Sequence, residues 1–195
     1  MTATVIWGIA ALIYVWFWFW YIGIRRKITY EEAQSAVKLL ESRSTYSAKQ
    51  INAIRHFFEQ DDGKDFVMVN LLELKEPLDE SRKKLAAYQK VFLGNLLKRA
   101  GHPVLIARAA SGNIEDIGCG TDNWTAAGMV RYRSRRDLLE VLPETVGSKH
   151  HELKLESLAR TFAYPSAPWA IIGGPKLLVP MALALVAALL HLALL

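Results

Sequence analysis

Both ends of this chain are long apolar stretches without a charge, and every Lys and Arg lies between Arg25 and Lys176. From Ala3 to Ile24 the sequence reads ATVIWGIAALIYVWFWFWYIGI, and from Leu177 to Leu195 it reads LLVPMALALVAALLHLALL. A helix rises ~1.5 Å per residue, so roughly 20 apolar residues cross a hydrocarbon core ~30 Å thick. Each end meets that requirement. The pattern predicts a polar middle held to a lipid bilayer by two transmembrane helices.

The first stretch does not read as a cleaved signal. No basic residue precedes it, the apolar run is too long, and it ends in bulky side chains followed by Arg25-Arg26-Lys27. The second carries Pro180, expected in the first turn, where a missing N–H is tolerated. Basic residues near span ends stay on the cytoplasmic side. Arg25, Arg26, Lys27 and Lys176 therefore place the middle in the cytoplasm and both termini across the membrane, with a bacterial inner membrane the expected location. Trp16, Trp18, Trp20 and Tyr21 suit an aromatic belt at the water–lipid boundary, while the deeper rings of Trp16 to Phe19 could also pack on neighbouring spans or on an apolar ligand.

The single Cys119 excludes an intramolecular disulfide framework and fits a reducing compartment. A formal charge of +5 suits anionic headgroups. The basic residues are scattered among acids and form no stripe, so nucleic acid is not expected as a partner.

The middle reads as an ordered series of elements. Thr29 to Glu32 and Ser47 to Gln50 are capping boxes opening two helices, at 30–43 and from 48 to about Asp61-Asp62-Gly63. A strand follows at 65–74, then a helix over 79–100 with Gly101 as its C-terminal glycine. Val104–Ala110 and Trp124–Arg133 read as strands, the latter with Trp124, Ala126, Gly128, Val130 and Tyr132 on one side. Ser134 caps a helix that is interrupted near Pro143 and resumes to Leu158, and a last strand at 160–164 is stopped by Pro165. The fold class is therefore α+β: a ferredoxin-like β-α-β-β-α-β domain flanked by N- and C-terminal transmembrane helices. The expected divisions are an anchor at 1–27, a helical connector at 28–63, the domain at 64–168 and a second anchor at 169–195. Apolar residues on both faces of the first strand predict a sheet covered on both sides, and hence a homodimer or an intimate partner.

The stretch Phe66 to Leu74, Tyr88 in the helix, Trp124 to Arg133 and Leu158 to Pro165 together resemble the DUF1330-type proteins of the dimeric α/β-barrel superfamily. The resemblance implies a ferredoxin-like protomer whose sheet pairs with a twin to close a barrel. The superfamily includes oxygenases, isomerases and haem-degrading enzymes. The haem-degrading branch is similar in having an Asn, a Trp and a His in this order, which here are Asn70, Trp124 and His150 or His151.

Read from the residues alone, catalytic chemistry is sparse. His150 and His151 are adjacent and point about 100° apart on a helix, so both cannot face one metal and no metal site is expected; the residues point to no particular cofactor. They read as surface residues. His191 near the far end of the second span reads as snorkelling to the interface. Arg108 and Arg131 read as solvent-edge residues of middle strands. Asn70 in an apolar strand must find hydrogen-bond partners or cost roughly 1–3 kcal/mol, so it either orients a ligand or ties down a loop. Candidate ligand-binding residues are Asn70, Tyr88, Trp124 and His150. Two functions follow as expectations. One is a membrane-anchored accessory subunit whose module dimerises or docks on a larger membrane complex. The other is a membrane-tethered enzyme or binder, oxygenase-like or haem-degrading-like, acting on an apolar small molecule.

Overall fold

The chain divides into two units, one made of Met1–Ile24 with Trp169–Leu195 and one of Arg25–Pro168, in a computed structural model that describes residues 3–24, 26–43, 46–118, 120, 123–146 and 148–194. Arg25 and Cys119 lie outside the described residues. The elements run α1 (Ala3–Ile22), α2 (Tyr30–Arg43), α3 (Ala48–Glu59), β1 (Phe66–Leu74), α4 (Leu78–Lys98), β2 (His102–Arg108), β3 (Ala126–Tyr132), α5 (Arg135–Thr145), α6 (Lys149–Ser157), β4 (Leu158–Ser166) and α7 (Pro175–Leu194).

In the first unit, α1 and α7 each have 20 residues and are long and apolar enough to span a membrane. Trp7 Nε1 near the start of α1 donates to His191 Nδ1 near the end of α7 at 3.4 Å, so the helices run antiparallel. Ile6, Phe17 and Tyr21 of α1 and Ala187 of α7 are buried. Trp16, Trp18, Phe19 and Trp20 face outward, with Trp16 and Trp20 stacked one turn apart. Pro175, not Pro180, opens α7; Pro180 lies inside the helix, one turn later than expected.

The second unit is α+β. Its β1, β2, β3 and β4 form one antiparallel sheet in the order β2-β3-β1-β4. Alternation along β1 sends Phe66, Met68, Asn70, Leu72 and Leu74 to one face, which helices cover. Phe57 of α3 and Leu138 of α5 pack with Phe66 and Tyr132 on that face, while α2 packs behind them through Ala33, Ala36, Val37 and Leu40. Residues 28–63, expected as a connector, thus share the core of the sheet domain.

Both capping boxes form. Thr29 N–H donates to Glu32 Oε2 at 2.8 Å and Glu32 N–H to Thr29 Oγ1 at 3.3 Å, and Ser47 exchanges the same bonds with Gln50. Arg136 on α5 grips the start of α2, donating to Glu32 at 2.7 and 2.9 Å and to the Lys27 carbonyl at 2.6 Å. The bonds from Arg136 and from the Thr29 backbone hold the Glu32 carboxyl down at about 2.

Several boundaries differ from expectation for identifiable reasons. Pro165 does not stop β4; it pairs with Met68 inside it. Pro103 likewise sits in β2, which begins at His102 rather than Val104. Both strands are sheet edges, where a missing N–H can face away from the ladder. Pro143 does not break the helix: α5 runs through it, and the break falls just after, where Ser148 caps α6 by accepting from His151 N–H. Arg131, expected at a solvent edge, is 1 % exposed. Its Nε reaches Asp65 Oδ2 and its guanidinium reaches the Ala100 carbonyl, each at 3.0 Å.

The end of α4 is the sharpest difference. The left-handed residue is Ala100 (φ 55°), not Gly101. Ala100 N–H bonds to Leu97 O and Gly101 N–H to Leu96 O, both at 3.0 Å, which is a Schellman closure. Gly101 is needed for a different reason: a Cβ there would lie 2.9 Å from the Arg131 carbonyl oxygen and 2.7 Å from Leu96 Cγ. Gly101→Ala should therefore destabilise the protein by about 2 kcal/mol through overpacking against backbone. Ala100→Gly, which relieves the left-handed Cβ, should stay within about 1 kcal/mol of wild type. Urea unfolding of the two variants in detergent distinguishes these outcomes.

Candidate functional site

The helix layer does not fill the sheet. Between the inner face and α3, α4, α5 and α6 lies a cavity of about 480 Å³. Its floor is a row of cross-strand neighbours, Ile106, Gly128, Asn70 and Ala163. Three of these four side chains are small or absent, and a Cβ built on Gly128 would meet nothing within 4 Å. Gly128 has no left-handed conformation to accommodate, so the backbone does not demand a glycine there. A glycine here leaves the strand without a side chain to fill the space above it.

Asn70 anchors the floor. Its Nδ2 donates to Met68 O at 3.1 Å and to Gly128 O at 3.3 Å. Both partners are carbonyls, so the amide orientation follows from chemistry and Oδ1 is left as the acceptor. The side chain ties β1 to the neighbouring strand β3, rather than tying down a loop, and it lines the cavity.

The opposite wall is aromatic and cationic. Tyr88 and Phe92 of α4 stack with centroids 5.6 Å apart, and Lys154 of α6 places Nζ 5.7 Å from the Tyr88 ring centroid. Burial raises the Tyr88 hydroxyl far above its ordinary value, with Tyr46 adding to the effect, so it remains a neutral donor. Burial lowers Lys154. Burial, then the Lys154 charge, lowers His151, while Glu152 opposes this. Lys154 keeps some accessible surface yet is desolvated, as expected for a side chain that looks into an apolar recess.

Of the candidate residues, Asn70 and Tyr88 line the same cavity. Trp124 and His150 do not; Trp124 precedes β3 and is half-buried, and His150 is exposed. The Asn-Trp-His set suggested by the haem-degrading resemblance does not assemble around one ligand. His151, one position on, lines the cavity instead, one turn before Lys154. Neither His151 nor Lys154 was singled out correctly from sequence. Their i, i+3 spacing on α6 was the available signal, since such residues share a helix face. It was masked because α6 exposes Leu155 and turns Lys154 inward, the reverse of the usual pattern. Among the described residues no group of three His, Cys, Asp or Glu could hold a metal. Of the membrane-anchoring candidates, Trp16, Trp18 and Trp20 are outward on α1, Tyr21 is buried, Arg26 and Lys27 are exposed before α2, and Lys176 lies in the first turn of α7.

A desolvated ammonium costs stability, and the sign of its pH dependence follows. The folded pKa lies below the ordinary 10.5, so the unfolded chain binds more protons between the two values. The penalty is complete below the folded pKa and fades as pH rises towards 10.5. Lys154→Met should therefore be more stable than wild type at pH 7. Its advantage should shrink at alkaline pH, as thermal melts across that range would record.

No family model matches this sequence, and no curated protein matches it either. The fold is similar to the crystal structure of RPA0582, a protein of unknown function from Rhodopseudomonas palustris. The two are 18% identical with a TM-score of 0.51, over 64% of this chain and 96% of that one. A structure of methylated RPA0582 is 19% identical with a TM-score of 0.49, over 66% of this chain and 96% of that chain. The likeness concerns the fold: this chain shares a small α+β architecture with an uncharacterised protein.

Proposed function

We propose that this chain is a membrane-tethered small-molecule binding protein whose ligand occupies the cavity over Asn70 and Gly128. The unfilled floor carries this reading. It leaves a recess of about 480 Å³, partly open at its mouth, that only water or a ligand can fill. Its volume and mostly apolar lining, with a few convergent polar groups, suit a small organic molecule. Asn70 Oδ1 offers an acceptor and Tyr88 a donor to orient it. Two apolar helices flanking the domain in sequence suit a ligand that partitions into lipid.

We read the order β2-β3-β1-β4 with its two helical crossovers as the ferredoxin-like arrangement, in keeping with the DUF1330-type resemblance. The outer sheet face supports pairing with a second copy. Leu105, Met129, Val69 and Tyr164 form one row across all four strands, and Ala107, Ala127, Leu71 and Phe162 form the next. Leu105, Phe162 and Tyr164 are exposed in the single chain. An accessory role in a larger membrane complex is the second reading, favoured by the outward aromatic rings of α1. A stoichiometric partner co-purifying from native membranes would support it.

Cavity filling tests the main reading. Gly128→Leu should raise the melting temperature by several degrees, through about 1 kcal/mol or more of new apolar burial, and abolish uptake of small aromatic ligands. Unchanged uptake would sink the proposal. For the outer face, Phe162→Lys should convert a dimer to a monomer in mass photometry of detergent-solubilised protein, with little loss of secondary structure.

A further inference from the structure

We propose that the cavity is selective for ligands bearing one negative charge, a carboxylate or its equivalent, seated against Lys154 with an apolar body extending over Gly128 and Ala163. This rests on the binding reading above and adds the ligand's chemical class. The cavity lining, among the described residues, holds one cation and no carboxylate. Lys154 makes no ion pair among the described residues; its Nζ lies 5.7 Å from the Tyr88 ring centroid, and His151 of its own helix lines the same cavity. The acidic residues of α6 cannot serve it from where they stand. Glu156 is turned outward and paired with Lys84 at 2.8 Å, and Glu152 is exposed.

A lysine in apolar surroundings is normally paired or has its head in water. Here the head is drawn against the Tyr88 ring, where a cation–π contact replaces part of its lost hydration. A ligand carboxylate would supply the missing partner through charge-assisted hydrogen bonds. His151 and the Tyr88 hydroxyl could donate to its second oxygen, since Tyr88 stays protonated throughout the physiological range. A neutral ligand of the same shape would leave the ammonium desolvated and unpaired. The difference is worth about 10- to 100-fold in affinity, the usual range for a hydrogen bond to a charged group.

Equilibrium dialysis of 2-naphthoate and its neutral isostere 2-naphthamide provides the test. The full chain is held in phosphatidylcholine nanodiscs, with empty discs as the blank. Wild type is expected to bind the acid at least about tenfold more tightly than the amide. Lys154→Met should lose that preference, the acid binding no more tightly than the amide, and Lys154→Arg should keep it. Equal binding of acid and amide by wild type, or a preference that survives Lys154→Met, overturns the charge assignment and leaves the cavity reading standing. Binding of neither probe by wild type overturns the cavity reading itself. Should Lys154→Met fail to bind the amide as well, Lys154→Arg decides: a retained preference supports the assignment and a lost one overturns it.

Discussion

The helix layer of this protein is propped on its sheet at two ends and not in the middle. At one end Phe66 and Tyr132 stack with centroids 4.9 Å apart and planes within 3°, and Leu96 closes over them. At the other, Leu72, Leu74, Leu85 and Leu158 form a second buried cluster. Between them the central row offers only Asn70, Gly128 and Ala163, with Ile106 at the edge. Bulky residues at both ends set the height of the layer, and small residues in between leave it unfilled. Close packing is the rule for protein interiors, so an unfilled centre this large is the feature on which the proposed binding reading rests.

Electrostatic contacts hold the frame around that space. Arg131 links β3 to Asp65 before β1 and to Ala100 just after α4, and its full burial makes both partners necessary. Breaking such a buried pair costs roughly 3–5 kcal/mol. Arg136 does the same for the start of α2, gripping Glu32 and the carbonyls of Arg26 and Lys27. The residues just before α2 are thereby fixed to α5. Exposed pairs such as Lys84–Glu156 contribute far less, being solvated and screened. Lys154 stands apart from this pattern, since it is desolvated with no carboxylate partner among the described residues.

Much of the frame was legible because it is local. Thr29, Ser47 and Ser134 cap helices as their spacing implies, since a capping hydroxyl reaches only the third N–H ahead of it. The alternation from Ala126 to Tyr132 and the β1 pattern follow from the two-residue period of a strand. Proline misled wherever its meaning depends on position in the sheet. Pro103 and Pro165 look like strand stops until the order β2-β3-β1-β4 puts both on edges. Gly101 looked like a cap because glycine favours left-handed backbone, yet its role is to let Arg131 O approach, a contact with a residue thirty positions away. His150 and His151 were indistinguishable until the rotation of α6 turned one outward and the other into the cavity.

The sequence by itself determined that two apolar helices of membrane-spanning length flank an α+β domain, because hydrophobicity and period are properties of consecutive residues. It also marked Asn70 and Tyr88 as residues of interest. Only the tertiary structure decided that Asn70, Gly128 and Ala163 lie side by side, that a space opens above them, and that Lys154 lines it with no carboxylate beside it among the described residues. Those facts depend on strand register and helix rotation, which are set by packing between segments far apart in the chain and leave no trace in any one of them.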